Sequence, residues 1–150
     1  MREEYRAEAA DESCISKWLE LVSIVSDHFP GLIMEEYTQT LVKNIRRKTA
    51  LCVKADGNIV GILLFSPEQH CLSCMAVHPE YRRQGIASAL VAEMLRLMPQ
   101  GDLHVTTFRE EDEKGIAPRA LYQSFGFEPD KLFVEFDYPV QQFVLHRKKN

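Results

Sequence analysis

The sequence has no apolar run long enough to cross a membrane and no excess of positive charge. Its 22 acidic residues outnumber its 18 basic ones, and the net charge of −4 argues against nucleic acid as a main partner. The first residues, Met1-Arg2-Glu3-Glu4-Tyr5, lack both the apolar core and the cleavage pattern of a signal peptide. We therefore expect a cytoplasmic protein without a membrane partner.

Linkers, internal repeats and low-complexity segments are also missing from the sequence. A length of 150 residues is enough for one domain with its own hydrophobic core. The sequence therefore predicts a single domain over residues 1–150.

Cysteine is scarce, and the four cysteines do not form the framework of a disulfide-rich secreted protein. Cys71-x-x-Cys74 has the spacing of a redox or metal pair, but it lies in a predicted strand and not at a helix N-terminus. Residues three apart in a strand point to opposite faces, which disfavours a shared metal ion. We predict no metal site and four free, mostly buried thiols: Cys14, Cys52, Cys71 and Cys74.

The period of the apolar residues predicts the order of helices and strands. Two helices come first, and Asp56-Gly57-Asn58 then marks the turn of an antiparallel hairpin. A strand–helix–strand unit and a closing helix with two strands complete a mixed α/β sandwich around one sheet. The predicted segments are strand 3–9, helices 13–27 and 33–48, strands 50–54, 59–65 and 71–77, helix 86–98, strand 103–108, helix 117–125, last strands supplied by Phe127, Phe133-Val134 and the run 142–145, and a frayed tail at 146–150.

The most informative stretch joins a short apolar run to the longest amphipathic pattern. The run Leu72–Val77 is typical of a buried strand, and His78-Pro79 ends it because proline has no N–H to donate. Apolar residues then recur every fourth position along one face of a helix, which Pro99 and Gly101 end. That face is formed by Ile86, Leu90, Met94 and Met98, with Ala87, Val91 and Leu95 beside it.

The residues between this strand and this helix have the features of an anion-binding loop. A helix start has backbone N–H groups without an internal partner, and the helix dipole adds partial positive charge. Gly85 and Ala87 leave room for a large anion, and Arg82 and Arg83 add charge. The loop could therefore hold a pyrophosphate.

Two segments resemble the GNAT-type N-acetyltransferases. Arg82-x-x-Gly85-x-Ala87 matches the acyl-CoA motif of that superfamily, and Ala120 to Phe127 resembles its A-x-x-L-Y-x-x-x-G-F segment. The order of predicted elements is also similar. The resemblance implies the GNAT acyl-CoA N-acyltransferase fold, an α/β (α+β) mixed central sheet flanked by helices, with acetyl-CoA as acyl donor and an amine as acceptor.

The resemblance also implies which residues hold acetyl-CoA. The strand before the motif would splay from its neighbour, so that Met75, Ala76 and Val77 line the pantetheine arm and the acyl carbonyl. A backbone N–H near Val77 would hold the acetyl oxygen. The phosphates would lie against the loop and helix start, at Arg82, Arg83, Gln84, Gly85, Ile86, Ala87 and Ser88.

Tyr122 is the implied general acid, which would protonate the departing thiolate. Leu121 and Phe125 are four apart and are predicted to face the core, whereas Tyr122 is predicted to point toward the reaction site or, on the plainer interpretation, to the surface. Many family members carry an asparagine one or two turns earlier. Here Gly115-Ile116-Ala117-Pro118 occupies that stretch, which puts the asparagine's contact with CoA in doubt.

The general base and the acceptor stay open. No acidic residue lies within 70–77, which leaves the side chains of Glu68, His70, Ser73 and His104 as options. The acidic loop 109–114 either attracts an amine or is an ordinary exposed loop. The acceptor is a small amine, an antibiotic, a protein N-terminus or a lysine, and the protein is a monomer or a homodimer.

Two other functions compete with catalysis. A non-catalytic acyl-CoA-binding or regulatory module would keep the anion loop without turnover. A nucleotide phosphate-binding protein is disfavoured, because Gly85 has neither the Lys-Ser/Thr of a P-loop nor the further glycines of a dinucleotide site.

Overall fold

The computed structural model of the chain describes residues 5–147, and within them the elements follow the predicted order. Two of the predictions extend beyond the described residues. The first strand was predicted to begin at residue 3, and the last three residues of the predicted tail are 148–150. The helices and strands are β1 (Ala7–Ala9), α1 (Ile15–Ile24), α2 (Met34–Arg46), β2 (Ala50–Ala55), β3 (Asn58–Ser66), β4 (Cys71–Val77), α3 (Ile86–Leu97), β5 (Leu103–Phe108), α4 (Ile116–Ser124), β6 (Glu128–Glu135) and β7 (Tyr138–Leu145).

The strands form a mixed sheet in the order β1-β2-β3-β4-β5-β7-β6. β4 and β5 are parallel, whereas β1–β2, β2–β3, β5–β7 and β6–β7 are antiparallel pairs. The predicted hairpin is present, and both of its turn residues, Asp56 and Gly57, have the positive φ that a two-residue turn requires. The predicted fold, a mixed sheet flanked by helices, is confirmed. No helix among the described residues is both long and apolar enough to span a bilayer.

The chain divides into two compact units, each with its own buried residues. The first contains the chain up to Phe65 together with Cys74–Leu97, and the second contains Ser66–Ser73 and the chain from Met98 onward. In the first unit, α1 and α2 bury their predicted apolar faces against β2 and β3. This core includes Trp18, Leu21, Val22, Val25, Leu41, Ile45, Cys52, Ile62 and Leu64.

Helix α3 packs against β3 so closely that a side chain at Gly61 would not fit. A Cβ on Gly61 would lie 2.4 Å from Cγ2 of Ile86 and 3.2 Å from Cδ1 of Leu90. Ile86, Leu90, Val91 and Met94 are buried, as the helical pattern predicted. The absence of a side chain on β3 therefore sets the depth of the helix that begins after Gly85.

Three predictions about local structure are corrected. The helix predicted over 13–27 ends at Ile24, and a 3₁₀ turn covers Ser26–His28. The predicted buried strand is buried only at Cys71 and Leu72, the two residues that pair with β5, and is half-buried beyond Ser73. The apolar composition of the run therefore overstated its burial.

The third correction concerns the predicted frayed tail, whose first two residues are held in place. The Arg147 guanidinium donates to the carbonyls of Met98, Gln100 and Gly101 at 2.7–3.2 Å. The Arg147 N–H and the His146 ring both contact the Asp102 carboxylate. A run of basic residues predicts a solvated end, but carbonyls freed at the end of a helix are strong acceptors for an arginine.

Candidate functional site

The chain changes direction immediately after β4 through a capped 3₁₀ turn at Pro79–Tyr81. Nδ1 of His78 accepts a hydrogen bond from the N–H of Glu80 (3.1 Å), and the His78 ring lies edge-on to Tyr81 at 5.5 Å. The His78 N–H donates to the carbonyl of Val60 (2.8 Å). His78 thus ends the strand, as predicted, and also fixes the start of the loop, a role that the sequence did not reveal.

The loop before α3 has the backbone that an anion site needs. Arg83 and Gly85 have positive φ values of 64° and 86°. The Ala89 N–H donates to the carbonyl of Gly85 (3.0 Å), so the helical bonds begin there and the preceding amides, including those of Ile86, Ala87 and Ser88, have no partner within the helix. These amides form the positive end of the helix dipole.

The space in front of this helix start is open. A Cβ built on Gly85 would meet no heavy atom within 4 Å. Arg82, Arg83, Gln84 and Ser88 are exposed, and the Gln84 side chain accepts a hydrogen bond from the Tyr5 hydroxyl (2.8 Å). The predicted loop residues therefore combine exposed cations, helix-start amides and free volume, which fits a pyrophosphate group.

The end of β4 leads into this loop. Met75, Ala76 and Val77 are half-buried, and Ala76 packs against the core of the first unit. Within the described residues, the ladder between β4 and β5 consists of the pairs Cys71–His104 and Leu72–Val105. The three residues expected to line the pantetheine arm follow the last of these pairs in the chain.

A hydrogen-bonded chain of side chains lies beside this part of β4. The Trp18 indole N–H donates to the Tyr37 hydroxyl (2.9 Å), which lies 3.5 Å from Sγ of Cys74. Burial raises the pKa of the Cys74 thiol to about 11 and the pKa of Tyr37 well above its usual range. Tyr37 was predicted only as a core position, and no sequence pattern points to its contact with Cys74.

Tyr122 belongs to the second unit and is buried. It is the buried residue of α4, and its ring centroid lies 5.8 Å from that of Phe127 and 6.3 Å from that of Phe143. The plainer interpretation, an exposed surface tyrosine, is therefore wrong. Leu121 and Phe125, which were predicted to face the core, are only half-buried, because α4 turns its Tyr122 side toward the sheet.

An arginine holds α4 in this orientation. The Arg119 guanidinium donates to the carbonyl of Phe108 (3.1 Å) and to Oε1 of Gln141 (2.7 Å), and it lies 4.8 Å from the Phe143 ring centroid. Arg119 therefore joins the helix to both β5 and β7. A lone arginine in an amphipathic helix carries no signal of this role in the sequence.

Gly115 begins the stretch 115–118, which lacks the family's asparagine, and the space around Gly115 is tightly filled. A Cβ there would lie 2.9 Å from the carbonyl oxygen of Arg109 and 3.2 Å from Cβ of Phe108. The first contact is with backbone, which cannot rotate away. Any side chain at this position would require the start of α4 to move.

The acidic loop 109–114 is more ordered than its composition suggests. The Arg109 guanidinium donates to the carbonyls of Val140 and Phe133, and the Asp112 carboxylate accepts from the Tyr138 hydroxyl and the Lys114 N–H. The exposed carboxylates are those of Glu110, Glu111 and Glu113. The loop therefore presents three of its four predicted acidic groups to solvent.

The candidate bases on the second unit lie around the start of β4. His70 has a positive φ of 52°, and Nε2 of His104 lies 3.1 Å from the carbonyl of Gln69. A carbonyl oxygen can only accept, so the His104 contact suits the neutral tautomer with its hydrogen on Nε2. In that tautomer, Nδ1 of His104 would be the nitrogen able to accept a proton. All four cysteines are free, and no cluster of three or more His, Cys, Asp or Glu side chains suited to a metal ion occurs within residues 5–147.

The fold is that of a mixed α/β protein in which the parallel strand β4 leads to a helix start with exposed arginines and backbone amides that have no partner within the helix. A family model described as an acetyltransferase (GNAT) domain matches residues 46–129, more than half of the chain. The chain therefore belongs to the GNAT acetyltransferase family. No curated protein matches the sequence at a significant level.

Solved structures share this fold over nearly the full chain. A GNAT-family acetyltransferase from Bacillus cereus has a TM-score of 0.74 at 20% identity and covers 98% of this chain and 100% of its own. Ard1 from Thermoplasma volcanium has a TM-score of 0.76 at 15% identity, with coverage of 97% and 99%. The PaiA N-acetyltransferase from Thermoplasma acidophilum, solved in complex with coenzyme A, has a TM-score of 0.69 at 15% identity, with coverage of 93% and 98%. At these identities the likeness establishes the fold.

Proposed function

We propose that the protein is an acetyl-CoA-dependent N-acetyltransferase that transfers an acetyl group to a primary amine by direct attack in a ternary complex. The observation that supports this most strongly is the open helix start after Gly85. There, Arg83 and Gly85 have positive φ, Arg82 and Arg83 are exposed, the first amides of the helix have no partner within it, and a Cβ on Gly85 would meet no heavy atom within 4 Å. The coenzyme A in the PaiA structure supports the choice of donor.

Each part of this region has a proposed role. Arg82 and Arg83 supply charge, and the backbone from Gln84 to Ser88 supplies N–H donors for the phosphates. Met75, Ala76 and Val77 would line the pantetheine arm, and an N–H near Val77 would hold the acetyl oxygen. When bound, acetyl-CoA supplies an acetyl group activated as a thioester.

Tyr122 is the proposed general acid for the departing thiolate. Its ring is packed between two phenylalanines, so few orientations are open to its hydroxyl. Arg119 restricts the helix that carries it. The acceptor must lose a proton before it attacks, and the proposal leaves the base among Glu68, His70, Ser73 and His104.

One observation favours the competing function, a non-catalytic acyl-CoA-binding module. Residues 115–118, where many family members carry an asparagine, contain none. Such a module would bind acetyl-CoA and release no thiol with any amine. The proposal also keeps the cytoplasmic location and the single domain predicted from the sequence.

The direct test is release of CoA thiol from acetyl-CoA across a panel of amines, including small amines, peptides with free N-termini and lysine peptides. We expect turnover with at least one class. If Tyr122 is the acid, Tyr122→Phe should lower kcat by roughly 100-fold with little change in the affinity for acetyl-CoA.

Tyr138→Phe is the matched control. It also removes a tyrosine hydroxyl from the second unit, but that hydroxyl donates a hydrogen bond to Asp112. It should keep kcat near the wild-type value. Acetyl-CoA binding without turnover across the whole panel would instead support the non-catalytic module. Equal kcat values for wild type and Tyr122→Phe would remove Tyr122 from the mechanism.

A further inference from the structure

The outer strand of the sheet, β6, exposes large apolar side chains that a protein surface usually avoids. Leu132 and Val134 are 58% and 61% exposed, and Phe136, in the turn that follows, is 69% exposed. These residues alternate along the chain, so the two strand residues share one face. β6 is the last strand in the sheet order, so one of its edges has no neighbouring strand within residues 5–147. Apolar edge strands invite pairing with another chain.

The hairpin register shows which backbone groups point to this edge. Phe136 and Asp137 form a two-residue turn with positive φ values of 52° and 60°, closed by the pair Glu135–Tyr138. In such a hairpin the closing pair exchanges hydrogen bonds, and alternate pairs do not. Glu135 and Phe133 therefore bond to β7, whereas the N–H and C=O groups of Leu132 and Val134 face outward. The carbonyl of Phe133 also accepts from Arg109, within its own unit (2.8 Å).

We propose that this edge binds a second copy of the chain, with the two β6 strands antiparallel about a two-fold axis at Phe133. In this register Leu132 lies opposite Val134 of the second copy, and the outward groups of both residues form hydrogen-bonded pairs. Lys131 lies opposite Glu135 of the second copy. The two-fold axis repeats both pairs, so the interface contains two apolar pairs and two opposite-charge pairs.

Charge complementarity favours a second copy over a different partner. Neither Lys131 nor Glu135 has an ion-pair partner among the described residues, and both are exposed. Two copies of residues 131–135 place opposite charges face to face when they pair antiparallel about Phe133. A parallel pairing in register would place lysine against lysine and glutamate against glutamate. Opposite charges directly across a strand pair stabilise it, and like charges destabilise it.

Irregular backbone at both ends of residues 131–135 limits the length over which two β6 strands can pair. The register of β6 on β7 shifts between Pro129 and Leu132, which is the mark of a bulge, and the turn at Phe136 ends the strand. A bulge bends the strand and interrupts a regular edge. About five residues are therefore suited to pairing, which gives a closed dimer and not an open series of sheets.

Charge reversal tests the interface in the full chain by sedimentation equilibrium at several protein concentrations. The wild type should show a monomer–dimer equilibrium. Lys131→Glu places two pairs of acidic residues face to face, and Glu135→Lys places two pairs of basic residues face to face. Each should weaken dimerisation by roughly tenfold or more. The double variant Lys131→Glu/Glu135→Lys restores opposite charges and should recover the wild-type dissociation constant.

A cysteine at the axis tests the register. Phe133 faces its own copy in a non-hydrogen-bonded pair, where Cα atoms are about 4.5 Å apart, within reach of a disulfide. Phe133→Cys should form a covalent dimer on mild oxidation, much faster than the wild type. Val134→Cys is the matched control and should crosslink slowly, because it faces position 132.

Either of two results would overturn the proposal: a monomer at every concentration, or a dimer that neither charge reversal weakens. Faster crosslinking of Val134→Cys than of Phe133→Cys would also contradict the register. The proposal does not depend on the acetyltransferase activity. Circular dichroism and the melting temperature of the charge-reversal variants check that they are folded.

Discussion

The environment of the Cys74 thiol is formed by residues that are far from it in the sequence. Its thiol contacts the Tyr37 hydroxyl, which is also bonded to Trp18, so three elements meet at one buried polar chain. Burial raises the pKa of Cys74 to about 11, and burial, followed by the nearby Cys14, raises the pKa of Cys52 to about 12. Both thiols are therefore protonated near neutral pH and should be weak nucleophiles.

Because the pKa values of Cys52 and Cys74 are raised in the folded protein, we predict that the free energy of unfolding decreases at alkaline pH. Below the usual thiol pKa of 9.0, the folded and unfolded chains are both protonated, and the contribution is fully present. As the pH rises from 9.0 through about 11 and 12, the unfolded chain releases its protons first, so the free energy of unfolding falls. Urea denaturation across this range should show the decline.

The double variant Cys52→Ala/Cys74→Ala isolates the thiol contribution. Its free energy of unfolding should fall less steeply with pH than that of the wild type, although its stability near neutral pH will be lower because the buried Cys52 and the half-buried Cys74 side chains are trimmed. An identical alkaline slope for both proteins would show that the thiols do not titrate as the structure requires.

Single residues were predictable from the sequence where backbone geometry selects them. Gly85 and the Asp56-Gly57 turn are examples, because few residues other than glycine, asparagine or aspartate adopt positive φ easily. The contacts of Tyr37 and Arg119 were not predictable, because hydrogen bonds between distant elements leave no periodic pattern.

Helix α3 and strand β3 illustrate what decides the position of an element. The helical face is visible in the sequence, but the depth of the helix depends on Gly61, whose missing side chain admits Ile86 and Leu90. Ile86 is the first residue of α3, so this contact also positions the amides of the loop.

Gly61→Ala should therefore affect both stability and donor binding. The added methyl group would force Ile86 and Leu90 aside at a cost of about 1–3 kcal/mol in the free energy of unfolding. Since the helix start moves with Ile86, thermal stabilisation by acetyl-CoA should also decline. Chemical denaturation and thermal shift measure the two effects.

Gly57→Ala provides the contrast, because a Cβ there meets no atom within 4 Å and only the positive φ of 78° opposes it. We expect about 1 kcal/mol of destabilisation and normal stabilisation by acetyl-CoA. A Gly61→Ala variant as stable as the wild type would mean that α3 does not pack on β3 as described.

The orientation of elements was predicted less well than their bounds. Apolar spacing placed Leu121 and Phe125 on the buried face of α4, yet the helix buries Tyr122. A nine-residue helix makes only a few turns, so one buried aromatic and one anchored arginine can outweigh its apolar pattern. Similarly, the apolar run 72–77 did not by itself show that only Cys71 and Leu72 pair with β5, and the expectation that these strands splay came from the family resemblance alone.

For the whole molecule, the order of elements carried most of the information about the fold. The change from helical to strand period, the hairpin turn and the parallel strand–helix–strand unit were visible in the sequence. The position of β7 between β5 and β6 was not, because it depends on pairing between segments far apart in the chain. The sequence does not identify the acceptor either, since the role proposed for the loop from Arg82 to Ser88 concerns the donor only.

The central claim is that the helix start at Gly85 binds the phosphates of acetyl-CoA, and a matched pair of variants tests it. Gly85 and Gly57 both have positive φ, and both have free space around a new side chain. Gly85→Glu and Gly57→Glu therefore impose a similar backbone cost, but only the first places bulk and negative charge at the proposed phosphate site.

The measurement is the thermal shift of each protein on addition of acetyl-CoA. A ligand that binds only the folded state at 100 times its Kd stabilises it by about 2.7 kcal/mol. We predict a clear shift for the wild type and for Gly57→Glu, and none for Gly85→Glu. A full shift in Gly85→Glu, equal to that of Gly57→Glu, would contradict the account.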